Sequence, residues 1–173
     1  MKILVTGSSG QVGTNLCLAL AQKGNSIIGL DKRKNSWTDR IPSIRQDLAQ
    51  GMPTLAEISA VDSDFDRPDL VVHLAANAKV HELVIDPSRA HENATITFKV
   101  LEFCRRHQLP IVFSSSREVY GRPEPPSVDE ETTDVFHILS PYAAYKMADE
   151  MLIYAYDNCY GLKYLIFRLS NVY

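Results

Sequence analysis

The sequence predicts an α/β fold: a doubly wound parallel sheet of six strands with helices on both faces. Strand and helix signals alternate from end to end, the strand segments are near-continuous apolar runs, and a glycine-rich turn separates the first strand from the first helix. A strand that is apolar throughout is buried on both faces, which is the situation of a parallel sheet covered by helices on each side.

The elements follow in order. Ile3–Thr6 is a short apolar run closed by Gly7. Residues 11–23 carry Val12, Leu16, Ala19 and Leu20 at helical spacing, and Gly24-Asn25 stops that helix. Ile27–Leu30 reads as a second strand ending at Asp31; the polar segment 32–43 reads as loop; Ile44-Arg45-Gln46 reads as a short third strand. A short helix is expected over residues 53–61 and a fourth strand over Leu70–Leu74. Asp86-Pro87 opens a long helix, with Asp as N-cap and Pro at the first position. Its stripe is Ala90, Ala94, Thr97, Leu101 and Cys104, and Arg105, Arg106 and His107 sit near its negative end. Ile111–Phe113 is the fifth strand, and the proline- and acid-rich segment 121–139 reads as a long loop. Ser140-Pro141 starts a last helix with the stripe Ala144, Ala148, Met151, Ala155 and Cys159, ended by Gly161; Leu165–Leu169 is the sixth strand. Right-handed crossovers then give a Rossmann-type sheet in the order 3-2-1-4-5-6, with ligands gathered at the carboxyl ends of the strands.

Composition narrows the function. The 173 residues fit one domain. Eighteen basic residues against 21 acidic ones give a net charge of −3, so no basic field is present for nucleic acid. Three cysteines, Cys17, Cys104 and Cys159, at no short spacing argue against a disulfide framework and a zinc site, and each is expected as a small buried residue. Met1-Lys2 runs directly into the first strand, and apolar runs such as Leu70–Ala76 are far too short to span a bilayer. A cytoplasmic location is expected.

Gly7-Ser8-Ser9-Gly10-Gln11-Val12-Gly13 lies between the first strand and the first helix. Gly7 permits a tight turn, Gly10 lets the backbone approach a pyrophosphate, and Gly13 lets helix and strand pack closely. The backbone N–H groups of Gln11 and Val12 and the positive helix end then face the anion. Asp31, at the end of the second strand, suits the two adenosine-ribose hydroxyls and repels a 2′-phosphate, so NAD is expected over NADP, although Lys32 and Arg33 follow it.

Further motifs come in sequence: Asp47-Leu48, His73-Leu74-Ala75-Ala76, Asn93, Ser114-Ser115-Ser116, Val119-Tyr120-Gly121, Tyr142-x-x-x-Lys146 and Arg168-x-x-Asn171-Val172-Tyr173. With the glycine turn and Asp31 they resemble the NAD-dependent epimerase/dehydratase family, the extended short-chain dehydrogenase/reductases acting on nucleotide sugars, and especially its UDP-glucose/UDP-galactose 4-epimerases. The resemblance covers essentially the whole chain. It implies that Asp47 and Leu48 contact adenine and that Leu74, Ala75 and Ala76 pass beneath the cofactor. Asn93 and Ser114 would organise the cofactor side of the site, and Asn171 would touch the substrate. His73 is read as a packed core histidine.

Tyr142 and Lys146, four apart on a helix, share a face. A free tyrosine titrates near 10, and a nearby ammonium favours the phenolate. The resemblance makes Tyr142 the base for a sugar hydroxyl, with Lys146 beside it and also holding the nicotinamide ribose, and makes Ser116 a hydrogen-bond partner of the same sugar oxygen. Glu118 resembles the glutamate of nucleotide-sugar 4,6-dehydratases and UDP-glucuronate decarboxylases, but Arg117 stands where the dehydratases carry aspartate. The expected activity is a UDP-sugar 4-epimerase with transient oxidation at C4. Dehydration, decarboxylation and dinucleotide binding without turnover are the alternatives. The expected partners are a UDP-sugar and a second copy of the chain in a homodimer, with no nucleic acid, membrane or metal. Because the sequence stops within the Asn-Val-Tyr run, it is expected to be the NAD-binding part of a longer enzyme or a short relative. The substrate lobe would then be missing, with NAD binding retained and turnover weak.

Overall fold

The computed structural model describes residues 1–122, 129–130 and 135–172. Six parallel strands form one sheet in the order β3-β2-β1-β4-β5-β6, as the alternation predicts. They are β1 (Lys2–Thr6), β2 (Ser26–Asp31), β3 (Ser43–Arg45), β4 (Leu70–His73), β5 (Ile111–Ser116) and β6 (Tyr164–Leu169). The helices are α1 (Gln11–Gln22), α2 (Leu55–Ser59), α3 (Val80–Ile85), α4 (Ser88–His107) and α5 (Pro141–Tyr160), and a 3₁₀ turn covers Arg117–Tyr120. The parts of the expected 121–139 loop at 123–128 and 131–134 lie outside the described residues, as does Tyr173.

Register places Ile3 beside Ile27 and Leu70, and Val72 beside Val112, so apolar residues stack across the sheet. Alternation along each strand sends them to two cores. Leu4, Ile28, Leu30, Val71, Ile111 and Phe113 pack with Val100 and Leu101 of α4 and Ile153 of α5. Ile3, Val5, Ile27 and Val72 pack on the other face against Cys17 of α1. Leu165 and Phe167 of β6 stand half exposed among the described residues. Helix ends are set locally. Thr54 and Glu57 form a reciprocal capping box on α2; Ser140 Oγ accepts from Ala143 N at 3.1 Å on α5; Gly161 ends α5 at φ +67°.

Several expectations need correction. The stripe Ala144, Ala148, Met151, Ala155 and Cys159 is the exposed face of α5, not its buried one. The buried face carries Tyr142, Ala143, Lys146, Met147, Asp149, Glu150, Ile153 and Tyr156. Each of Lys146, Asp149 and Glu150 bonds a partner on β5, α4 or β6, so apolar periodicity selects the wrong side. Cys159 is therefore exposed, while Cys17 and Cys104 are buried. The segment before α4 is itself helical, as α3, and α4 begins one residue late: Asp86 Oδ1 accepts from Ser88 N at 3.2 Å. β5 runs on through the three serines, which pair with Phe167, Arg168 and Leu169. Among the described residues no helix is long and apolar enough to cross a membrane.

Candidate active site

Strand order reverses between β1 and β4, and a groove of about 490 Å³ opens there at the carboxyl edge. Gly7, Gly10, Gln11, Val12 and Gly13 form one wall. Gly7 has φ +73°, and a Cβ on it would lie 2.8 Å from Ala75 N. A Cβ on Gly13 would lie 2.1 Å from Gly7 O. The turn is thus closed by backbone against backbone, with no room for a side chain at Gly7 or Gly13. The amino end of α1 has no side-chain cap and no acid in its first turn. Its free N–H groups and positive end therefore face the groove uncompensated, which fits a dinucleotide pyrophosphate.

Asp31 also lines the groove and is 7% exposed. Oδ2 accepts from Ser9 N at 3.0 Å, and Oδ1 accepts from Arg33 N at 2.9 Å and from Arg33 Nε at 3.5 Å. These bonds aim the carboxylate and leave acceptor capacity on both oxygens. Asp47 and Leu48 close the far end; Asp47 Oδ1 holds Ala49 N at 3.1 Å in a tight turn, and Leu48 is anchored in the core. Leu74, Ala75 and Ala76 form the floor. Asn93 is not part of the wall. Its Oδ1 accepts from Asn77 N at 2.7 Å and its Nδ2 donates to Asn77 O at 3.0 Å, so it grips the loop that continues from the floor.

Beyond the groove, α5 and the end of β5 bring the other residues together. Tyr142 is buried and hydrogen-bonded to Ser116. Ser116 Oγ also accepts from Glu118 N at 3.2 Å, which starts the 3₁₀ turn. Lys146 is fully enclosed; Nζ donates to Ser114 O at 2.8 Å and sits 4.5 Å above the Phe113 ring. Glu118 is partly exposed, with Arg117 Nη2 at 3.7 Å from Oε1. Asn171 lies exposed past the end of β6.

The electrostatics differ from the expectation in one respect. Burial pushes the Tyr142 phenol above its ordinary range, Glu118 and Asp149 push it the same way, and the Ser116 hydrogen bond pulls it back. The Lys146 ammonium is anchored on the β5 backbone rather than on the phenol itself. Burial lowers Lys146 itself to about 8, against the pull of Asp149 and Glu150.

Sequence reasoning missed the arc that α3 and its flanks add to the groove: Asn77 and Lys79 before α3, Glu82 and Leu83 on it, and Arg89 on α4. Arg89 Nη1 and Lys79 Nζ both donate to Glu82, at 2.6 and 2.8 Å. Spacing carries a trace of this arc, since Lys79 and Glu82 are three apart. It missed too the pair Glu150–Arg168, in which Arg168 Nη2 meets Oε2 at 2.8 Å. Here the signal was available: Glu150 lies one turn beyond Lys146, on the same helix face.

The chain is 32% identical over 189 residues to UDP-glucuronate 4-epimerase 1 of Arabidopsis thaliana, covering 100% of this chain and 43% of that protein. It is 34% identical over 182 residues to dTDP-glucose 4,6-dehydratase of Mycobacterium tuberculosis, covering 100% of this chain and 54% of that one. Among solved structures, the UDP-glucose 4-epimerase of Thermus thermophilus in complex with NAD superimposes with a TM-score of 0.81 at 30% identity, over 97% of this chain and 54% of that one. The chain spans about half the length of the curated relatives it matches. The model of the NAD dependent epimerase/dehydratase family matches residues 3–173, and the chain belongs to that family.

Proposed function

We propose that residues 1–173 form the NAD-binding part of a nucleotide-sugar 4-epimerase acting on UDP-sugars. The observation that carries the reading is the groove's continuity: the glycine turn, Asp31, Asp47 and the Leu74–Ala76 floor share one cavity, and Tyr142, Ser116 and Lys146 gather at the same sheet edge. In this reading Gly7, Gly10, Gln11, Val12 and Gly13 hold the pyrophosphate and Asp31 the adenosine ribose. Asp47 and Leu48 border the adenine, and Asn93 and Ser114 act through the Asn77 backbone and Lys146. NAD, when bound, supplies the acceptor for the hydride leaving sugar C4 and a positive charge beside the phenol.

As its phenolate, which the positive charges of NAD and Lys146 would favour, Tyr142 takes the C4 hydroxyl proton and returns it after the sugar turns over. Ser116, already bonded to Tyr142, orients that oxygen. Lys146 adds a fixed positive charge behind the pair and reaches the nicotinamide ribose, and Asn171 contacts the nucleotide sugar.

Glu118 supports the second reading, dehydration or decarboxylation, because it lies close enough to act on Tyr142. Arg117 favours the epimerase: it pairs with Glu118 and occupies the place where a second acid would stand. Glu118→Gln should therefore keep turnover within about tenfold, roughly 1.4 kcal/mol. The enzyme that carries these residues together with its substrate lobe is incubated with NAD and UDP-glucose, UDP-galactose or UDP-glucuronate, and products are resolved by chromatography. The 4-epimer is expected; carbon dioxide or a 4-keto-6-deoxy sugar would overturn the assignment.

The protein assembles as a homodimer in this reading. Phe98 on α4 and Met151 on α5 are exposed apolar side chains on two helices that pack together, next to the small residues Ala144 and Ala148. Three unpaired thiols suit a reducing cytoplasm.

A further inference from the structure

A line of buried hydrogen bonds runs under the site, from the cofactor turn to the lysine helix. Thr6 Oγ1 accepts from Leu74 N and Ala75 N, each at 3.2 Å, and lies 2.7 Å from His73 Nδ1. His73 Nε2 lies 3.4 Å from Thr97 Oγ1, which is 3.0 Å from Asp149 Oδ2. The two ends fix the direction of every bond between them. Backbone N–H groups only donate, an ionised carboxylate only accepts, and each hydroxyl has one proton to give. Thr6 therefore donates to Nδ1, His73 donates through Nε2 to Thr97, and Thr97 donates to Asp149. Burial, with Lys146 adding to it, lowers the imidazole to about 3, so His73 is neutral and carries the single proton this direction requires.

The line ends on an expensive group. Asp149 is 1% exposed, and its Oδ1 has no hydrogen-bond partner. A buried carboxylate half without partners stays ionised only where a nearby positive charge compensates it. The charged groups facing it are Lys146 and Glu150 on its own helix, with neutral His73 on β4. Glu150 is already matched, by Arg168 of β6 at 2.8 Å and by a short hydrogen bond from Ser115 of β5. From the lysine's side, the carboxylates in reach are the same two, Asp149 and Glu150. Tyr142, which also faces Asp149, is otherwise met by Ser116 on β5 and Glu118 on the 3₁₀ turn. Lys146 and Asp149 stand three residues apart on the buried face of α5, and with Glu150 claimed by Arg168, Asp149 is the charge left for the lysine.

We propose that Asp149, held ionised by the Thr6–His73–Thr97 line, is a positioning residue that keeps the buried Lys146 cationic behind Tyr142. It rests on the epimerase reading for the reaction it serves, but its electrostatics are measurable without that reaction. Burial raises Asp149 to about 6 and lowers Lys146 to about 8, so both are charged in the window between.

The test is a pH titration of ¹³C-labelled protein by NMR, without NAD or sugar, following the lysine Cε and aspartate Cγ signals. Lys146→Met and Asp149→Asn assign the two resonances. Asp149→Asn should lower the Lys146 midpoint by roughly one pH unit, because an opposing charge has been removed. Thr97→Val, which takes away the last donor of the line and keeps the shape, should raise the Asp149 midpoint by a comparable amount. It serves alone if Asp149→Asn does not fold. A Lys146 midpoint unchanged in Asp149→Asn, or an Asp149 midpoint unchanged in Thr97→Val, would overturn the proposal. These shifts in an enzyme that carries these residues together with a substrate lobe, yet turns over no UDP-sugar, would refute the epimerase reading instead.

Discussion

Tyr142→Phe should lower kcat for sugar turnover by about 10²–10⁴ while leaving NAD affinity within a few-fold. The lost atom is the one hydroxyl that both meets Ser116 and can exchange a proton with the sugar. The ring itself packs with Leu83 and Ala90, and phenylalanine keeps those contacts, so folding is unaffected. Equilibrium binding and initial rates on the same preparation separate the two effects. A variant within threefold of the parent would remove Tyr142 from the chemistry.

The largest effect on stability is expected from Glu150→Ala. Glu150 and Arg168 have side chains only 3% and 11% exposed. Arg168 Nε and Nη2 both bind the carboxylate, at 3.1 and 2.8 Å, and Nη1 donates to Glu130 O at 2.9 Å. The guanidinium also lies 4.8 Å from the centre of the Tyr120 ring. Removing the carboxylate strands a buried cation that never deprotonates and unbinds Ser115 on β5. Breaking a buried pair from one side costs about 3–5 kcal/mol. Urea unfolding should show that loss, with a smaller one for Glu150→Gln, which still accepts from Arg168. A loss below about 1 kcal/mol for the alanine variant would mean that water reaches Arg168.

The contrast between these two residues shows which parts of the site were legible. Tyr142 and the glycine turn could be read because their signals are local. A strand, a turn and a helix start occupy successive positions, and strand order follows from alternation and crossover handedness. Groove residues on the first two strand ends followed from the same reasoning. The buried face of α5 could not be read in this way. Lys146, Asp149 and Glu150 look like a solvated face until Ser114, Thr97 and Arg168 arrive from distant segments to satisfy them. The apolar stripe through Met151 then looks like the core and is not. α3 was hidden for another reason: it is six residues long, without a side-chain cap at its start, and is held by the pairing of Lys79 and Arg89 with Glu82. The serines that end β5 read as a polar stop, yet their strand continues because β6 supplies backbone partners through Ser116.

Calorimetric titration of the 173-residue chain with NAD and NADP tests the central claim most directly. The groove lies wholly within the described residues, and Asp31 presents its carboxylate there while Arg33 is tied to it by two hydrogen bonds. One NAD should bind per chain, at least about tenfold more tightly than NADP, because the carboxylate accepts ribose hydroxyls and repels a 2′-phosphate. Asp31→Ala should weaken NAD and erase that preference. Tighter binding of NADP by the unaltered chain, or no binding of NAD at all, would contradict the account.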